Sequence, residues 1–273
     1  MSTLTQYIRL FLMFARNSII RDMMFRANFL IEGFSSVTWL LMNLGFYLII
    51  YQTTDNIAGW TKFEFFIFIA TTVFVNSLVQ TFFLPNAEEF SELIRTGGLD
   101  FALLKPVDTQ FLISLRKMAW SSLSNFVVAL VLLVYGVSHL DTGWPAWWQI
   151  GLYVVYILAG TLILYSVMVS LAATSIWLGR NQSLYDFWFY ITNFARYPME
   201  IYTGPWGTPL RSLFTFVIPI LVVINVPARF MAKPFERETA YLALFALAAT
   251  AVSLVLSRWV FQSALRSYRS ASS

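Results

Sequence analysis

The sequence has no cysteine and a single histidine, His139. Neither a disulfide framework nor a thiolate metal site can be built from it. Most nucleophile–base pairs of hydrolytic and transfer enzymes are excluded as well. Charge is scarce too. Only 12% of the 273 residues are Asp, Glu, Lys or Arg, about half the share of a soluble domain. That is too little polar surface to solvate a globule of this size, so lipid must cover part of it. The runs GxxxxGK[ST], HExxH and GxSxG are all missing. The chain therefore has no phosphate-cradling loop, helical zinc pair or nucleophile elbow of its own. No secretory signal is apparent, because Arg9, Arg16, Arg21 and Arg26 are scattered through residues 1–26.

What the sequence has in abundance is apolar length. It is 58% hydrophobic and 18% aromatic, with a mean hydropathy of +0.67. A helix needs roughly 20 mostly apolar residues to cross the hydrocarbon core. Residues 28–51, 63–84, 117–138, 148–176 and 239–260 meet that requirement, with tryptophans near their ends. The fold expected is a single all-α membrane domain over residues 1–273 with six transmembrane helices. The fifth in chain order is expected at 182–203, although Asp186, Arg196 and Glu200 interrupt it. Proline-broken, re-entrant helices over 205–232, with Pro219 and Pro227, then lead to the last span. The alternative makes 210–232 the span and leaves 182–209 at the surface. Residues 1–26 read as an interfacial helix on membrane lipid. Gln6, Arg9, Arg16 and Asn17 lie near one face, and Phe11, Leu12, Ile19 and Met23 lie elsewhere.

Lys and Arg set the orientation. They collect in the N-terminal segment, in the 85–117 loop (Arg95, Lys105, Arg116, Lys117), at Arg180 and in the tail (Arg258, Arg266, Arg269). The loops 52–62 and 139–147 hold only Lys62. Both termini and the 85–117 loop are thus expected in the cytoplasm. This topology accounts for the pI near 9.3, and no nucleic-acid partner is implied.

The 85–111 loop, PNAEEFSELIRTGGLDFALLKPVDTQF, is the most informative stretch. Asn86 reads as an N-cap, with Glu88 and Glu89 in the first turn and Glu89 placed as a capping-box partner. Arg95 closes the helix, Gly97 and Gly98 stop it, and Asp100 reads as the cap of a second short helix ended by Pro106. Phe90, Leu93, Ile94, Leu99, Phe101, Leu103 and Leu104 are too apolar for a free linker. Either the chain's own spans or a cytoplasmic partner must cover them.

The run ELIRTGGLDFALLKP, between the second and third spans, resembles the cytoplasmic coupling region of ABC type-2 permeases. The later run FARYPMEIYTGPWGTPLRSLFTFVIPILVVINVPARFM is similar to the proline-rich segment after the fifth span in the bacterial branch of that family. In that branch permease and ATPase are separate polypeptides. The resemblance implies a permease subunit of an exporter in the bacterial cytoplasmic membrane, driven by a cytoplasmic ABC ATPase dimer and paired with a second permease subunit. ATP and Mg would be held by the ATPase, with no cofactor in this chain. Glu88, Glu89, Phe90, Glu92, Leu93 and Arg95 would form the coupling helix. Gly97, Gly98, Leu99 and Asp100 would join it to span three.

The candidate transport pathway consists of polar groups within apolar spans: Glu32, Asn76, Gln80, Asn125, Arg196 and Glu200. Each has a plainer reading. Glu32 snorkels to the interface or pairs with Arg26 or Arg180. Arg196 and Glu200, spaced i and i+4, pair on one helix face. Asn76, Gln80 and Asn125, with Ser121 and Ser124, hydrogen-bond between helices. Ala249, Ser253 and Ser257 form a small-residue ladder for close packing, and His139 is a surface residue. A lipid-modifying membrane enzyme is the main alternative, and it needs Glu32, Arg196 or Glu200 to converge at one depth. A scaffold without transport is the other.

Overall fold

The computed structural model describes residues 3–179, 189–190 and 193–269, apart from the side chains of Thr3, Arg26 and Asn28. Its helices are α1 (Thr3–Met24), α2 (Arg26–Thr53), α3 (Lys62–Phe82), α4 (Leu84–Arg95), α5 (Gly98–Leu103) and α6 (Thr109–Leu115). They continue with α7 (Leu123–Ser138), α8 (Trp147–Ala173), α9 (Ser175–Leu178), α10 (Gly204–Ser212), α11 (Leu221–Ala232) and α12 (Arg237–Ser267). Among the described residues five stretches are long and apolar enough to cross a membrane: Phe29–Thr53, Lys62–Arg95, Trp120–Ser138, Trp147–Leu178 and Arg237–Ser267. The protein is an all-α membrane protein.

α3 is the central element, packed against α7, α8 and α11. Its run KFEFFIFIATTVF is apolar on almost every side, as a helix surrounded by other helices requires. Thr61 and Glu64 form a capping box at its start, where Glu64 Oε2 accepts from the Thr61 amide at 2.8 Å. Close approach is set by glycine. A Cβ on Gly136 of α7 would lie 2.9 Å from Ile67 of α3.

Residues 199–233 form a bent hairpin. Glu200 accepts from the indole N–H of Trp60 at 3.1 Å, and Lys233 Nζ donates to the Gly59 carbonyl at 2.6 Å. The segment thus starts and finishes at the same end of the bundle, beside the α2–α3 connection. In between, α10 runs on through a π-type turn (Leu213–Val217) and meets α11 at 89°. Pro219 makes the corner, because it lacks an amide and disfavours helical backbone at Ile218. Pro227 likewise leaves the Val223 carbonyl without its helical donor. That carbonyl instead faces Gly160 of α8, where a Cβ would sit only 2.8 Å away. Gly160 lies midway along α8, so the hairpin reaches about half the bundle's depth.

Several expectations need correction. Much of 182–203 lies outside the described residues, but its C-terminal part is not a span. The chain turns at 195–197, passes Pro198 and forms only a 3-10 turn (Met199–Ile201). Arg196 and Glu200 consequently share no helix face and do not pair. The third span starts near Trp120, later than 117, because Lys117, Met118 and Ala119 are not helical. In α1, Phe11 packs inward against Phe82, with ring centroids 6.3 Å apart. Leu12, Ile19 and Met23 are exposed.

Candidate functional site

Two regions carry polar chemistry, one at mid-depth and one at the α4 end. The first is a cavity of about 210 Å³ between α2, α3 and α7. Asn76 and Gln80 from α3, Asn125 from α7, Asn43 and Tyr47 from α2, and Arg196 line it. Asn76 and Gln80 are one turn apart and so open on the same side of α3. The Asn125 Oδ1 is buried without a partner, whereas Asn43 Nδ2 donates to its own helix at the Trp39 carbonyl, 2.8 Å away. Arg196 stands over the Phe189 ring at 5.9 Å. No carboxylate among the described residues lies within ion-pair distance of it. Four of the six pathway candidates therefore meet here.

The other two do not. Glu32 lies toward the α4 end and accepts from Ser121 Oγ at 2.7 Å. Its expected partners, Arg26 and Arg180, lie outside what the structure describes. Glu200 is at the opposite end, bonded to Arg229 and to Trp60. Glu32, Arg196 and Glu200 do not converge, and among the described residues no three His, Cys, Asp or Glu side chains are grouped to hold a metal.

At the other end, α4, α5 and α6 build an elbow between spans two and three. α4 continues almost directly from α3, so Asn86 is not an N-cap. It is buried in the first turn and bridges to the non-helical segment 117–119, which leads into α7 through a 3-10 turn. Its Nδ2 donates to the Lys117 carbonyl at 2.7 Å and its Oδ1 accepts from the Lys117 amide at 2.8 Å. α1 supplies the neighbouring partners. Ser18 Oγ accepts from the Met118 amide at 3.0 Å, Arg21 donates to the Met118 carbonyl at 2.8 Å, and Asp22 accepts from the Trp120 amide at 3.0 Å. Unwound backbone at this depth persists only with such partners.

The expected coupling residues divide into two groups. Phe90, 1% exposed, packs on Phe261 of α12, and Leu99 is fully buried. Leu93 is half-buried. Glu89 binds Arg116 at 2.7 Å and Lys117 at 2.8 Å. These residues hold the elbow to its own bundle. Glu88 is exposed, as is the ion pair between Glu92 and Arg95. Gly97 takes the left-handed conformation (φ 72°) that stops α4, and Gly98 then opens α5. Asp100, expected as a cap, sits inside the first turn of α5. Phe101 (72% exposed) and Leu104 (81% exposed) point away from the core, with Leu103 beside them.

A polar relay that the sequence reading missed runs through Asp108. Its Oδ1 caps α6 by accepting from the Phe111 amide at 2.9 Å, and both carboxylate oxygens accept from Arg258 of α12. Arg258 also donates to Gln110 at 3.0 Å, and Gln110 donates to Tyr165 of α8 at 3.1 Å. The cap was legible, since Asp before TQFLISL is an N-cap signal. The Arg258 partnership, 150 residues away, was not. Burial works to raise the Asp108 carboxyl, but the Arg258 hydrogen bonds and charge and the Phe111 amide outweigh it and hold the group below the ordinary carboxylate range. A folded-state value below the unfolded one, near 3.9, means that the stabilisation is complete above that pH. It is lost only as pH falls through the folded value. Asp108→Ala is therefore expected to destabilise by about 1 kcal/mol for the cap, with the half-exposed Arg258 pair adding less than that. The difference in melting between wild type and variant should be the same at pH 6 and pH 8. A difference that changes between them would contradict this account.

The apolar spans, the hairpin dipping from one side and the mid-depth polar cavity define a multi-pass membrane protein with a space for a solute. Residues 37–272 match the family model described as ABC-2 family transporter protein, and the chain belongs to that family. It is a permease subunit of an ABC transporter. Comparison with curated proteins and with solved structures gave no match.

Proposed function

We propose that this permease is the membrane half of a bacterial ABC exporter that moves an amphipathic solute by alternating access, using ATP and Mg bound by a separate ATPase dimer. The observation that carries this reading is the two-sided elbow of α4 to α6. Its inner face is locked to α12 through Phe90 and Asp108, to α8 through Gln110, and to Arg116 and Lys117 through Glu89, while Phe101, Leu103 and Leu104 are left uncovered at the end of the bundle. An element that is rigid on one side and apolar on the other suits transfer of motion from a docked subunit to the spans. The positive-charge bias supports a cytoplasmic position for this end.

The cavity between α2 and α3 supports the choice of cargo. Amides, one cation and the aromatic rings of Trp39 and Tyr47 suit a solute with an apolar body and hydrogen-bond acceptors. α2 contributes little buried surface to this chain, which leaves room for a second permease to close the route. Glu32 and Glu200 stand near opposite ends, so a lipid-modifying centre built from them has no support.

The test is purification of the chain from native membranes in mild detergent, with bound proteins identified by mass spectrometry. An ABC ATPase together with a second permease, identical or related, is expected. A folded, abundant chain that brings down no ATP-binding subunit across several detergents would overturn the proposal.

A further inference from the structure

A second cavity, of about 420 Å³, lies between the hairpin and the N-terminal half of α12. It shares no lining residue with the cavity between α2 and α3. Its walls change character with depth. Arg211 and Glu238, the latter in the first turn of α12, stand at the bundle end. Phe216, Leu242 and Phe245 lie farther in, with the Phe216 and Phe245 rings 5.2 Å apart. Seven residues of helix separate Glu238 from Phe245, about 10 Å along the axis. The polar layer of a bilayer leaflet is about 5–7 Å thick, the excess of the whole membrane over its hydrocarbon core. Charged groups at headgroup level above aromatic groups at acyl level is the profile of a lipid.

Two further observations define the occupant. Thr215 is 3% exposed and lines the cavity, yet its hydroxyl has no partner. A threonine within a helix ordinarily bonds the carbonyl one turn back. This hydroxyl is shut off from solvent without that bond, and a turn about χ1 toward the cavity would offer it to an ester carbonyl. Glu238 meets its two arginines only loosely, Arg229 at 3.6 Å and Arg211 at 3.9 Å. With Glu200, which pairs with Arg229, the cluster has two positive and two negative groups. A neutral cluster of this kind matches a headgroup that carries both charges, and disfavours a purely anionic one.

We propose that this cavity binds one zwitterionic glycerophospholipid with a primary ammonium, phosphatidylethanolamine in class. Its phosphate lies on Arg211, its ammonium on Glu238, a glycerol ester carbonyl on Thr215, and its acyl chains run along Phe216 and Phe245. The site is independent of the transport reading. A bound lipid there adds to the contacts that the hairpin already makes with α12.

The purified chain, with any subunits that accompany it, is mixed with equal amounts of phosphatidylethanolamine, phosphatidylcholine and phosphatidylglycerol of the same acyl composition. Native mass spectrometry then counts retained lipid. One phosphatidylethanolamine is expected to be retained in preference to both others, since the quaternary ammonium of phosphatidylcholine offers no N–H to Glu238. Arg211→Gln and Glu238→Gln should each reduce its retention about tenfold, the loss expected for one charge-assisted hydrogen bond. Equal retention of the three lipids, or preferential retention of phosphatidylglycerol, would overturn the proposal. Unchanged retention in both variants would do so as well. A photoreactive phosphatidylethanolamine on the wild-type chain gives a result that does not depend on variants folding. Labelling should concentrate in residues 211–216 and 238–245, and labelling spread evenly over the exposed spans would reject the site.

Discussion

Arg229→Met is expected to lower the melting midpoint of the detergent-purified chain by about 6–12 °C, a larger loss than Asp108→Ala produces. Arg229 lies inside α11 and its side chain is 9% exposed. It reaches Glu200, which also accepts from the Trp60 indole. Removing one member of a buried pair leaves the other charged and unsolvated, at a cost of about 3 kcal/mol or more, and each kcal/mol shifts the midpoint of a chain of this size by about 2–4 °C. Removing both charges is different. Glu200→Gln combined with Arg229→Met should recover most of the loss, because no bare ion remains and the introduced amide would keep an oxygen for Trp60. If the double variant melts as low as Arg229→Met alone, the pair is not what anchors the hairpin.

The largest functional effect is expected from Phe101→Asp with Leu104→Asp. Both side chains are exposed in the isolated chain, so melting should stay within about a degree of wild type, as for other surface substitutions. Binding to an ATPase should weaken at least about a hundredfold, since losing two apolar anchors typically costs about 2 kcal/mol each. ATP-driven transport would be lost with it. Phe90→Ala is the necessary contrast. It empties a site in the core under α12 and should destabilise the chain by about 3 kcal/mol, so any lost ATPase with that variant reports unfolding. Retained ATPase binding in the double Asp variant would move the docking surface elsewhere on the elbow.

Much of the fold was legible because lipid imposes long apolar runs. α2, α3, α7, α8 and α12 each announce themselves by length and composition. The break in this segment was legible from Pro219 and Pro227, which no straight span tolerates easily. Caps and pairs were read less well. Asn86 has every local property of an N-cap, but α3 runs on into α4 and leaves no free helix end there, so its amide turns to Lys117 instead. Arg196 and Glu200 have helical spacing, but Pro198 between them removes the helix. Arg229, Arg258 and Asp108 owe their roles to partners 29 to 150 residues away, and no local pattern encodes such distances. In the candidate site, polarity within apolar spans singled out Asn76, Gln80 and Asn125, which line one cavity together with Arg196 from outside any span. It could not separate them from Glu32 and Glu200, whose depth depends on how the chain folds back.

The slot that α11 occupies has consequences for the order of biosynthesis. Its walls, α3 and α8, are both made before it, so residues 204–232 leave the ribosome when their berth already exists. With four prolines, Arg211 and Arg229 they are a poor substrate for direct lateral release into lipid. The hairpin is expected to slide into the finished cleft from the aqueous side, and α12 then closes it in. The absence of native cysteine makes this readable. A single cysteine introduced at Val223 should react with a water-soluble maleimide in ribosome-bound chains arrested before residue 237, and become protected once α12 is complete. Protection in the arrested chains would mean that the hairpin enters alongside its neighbours.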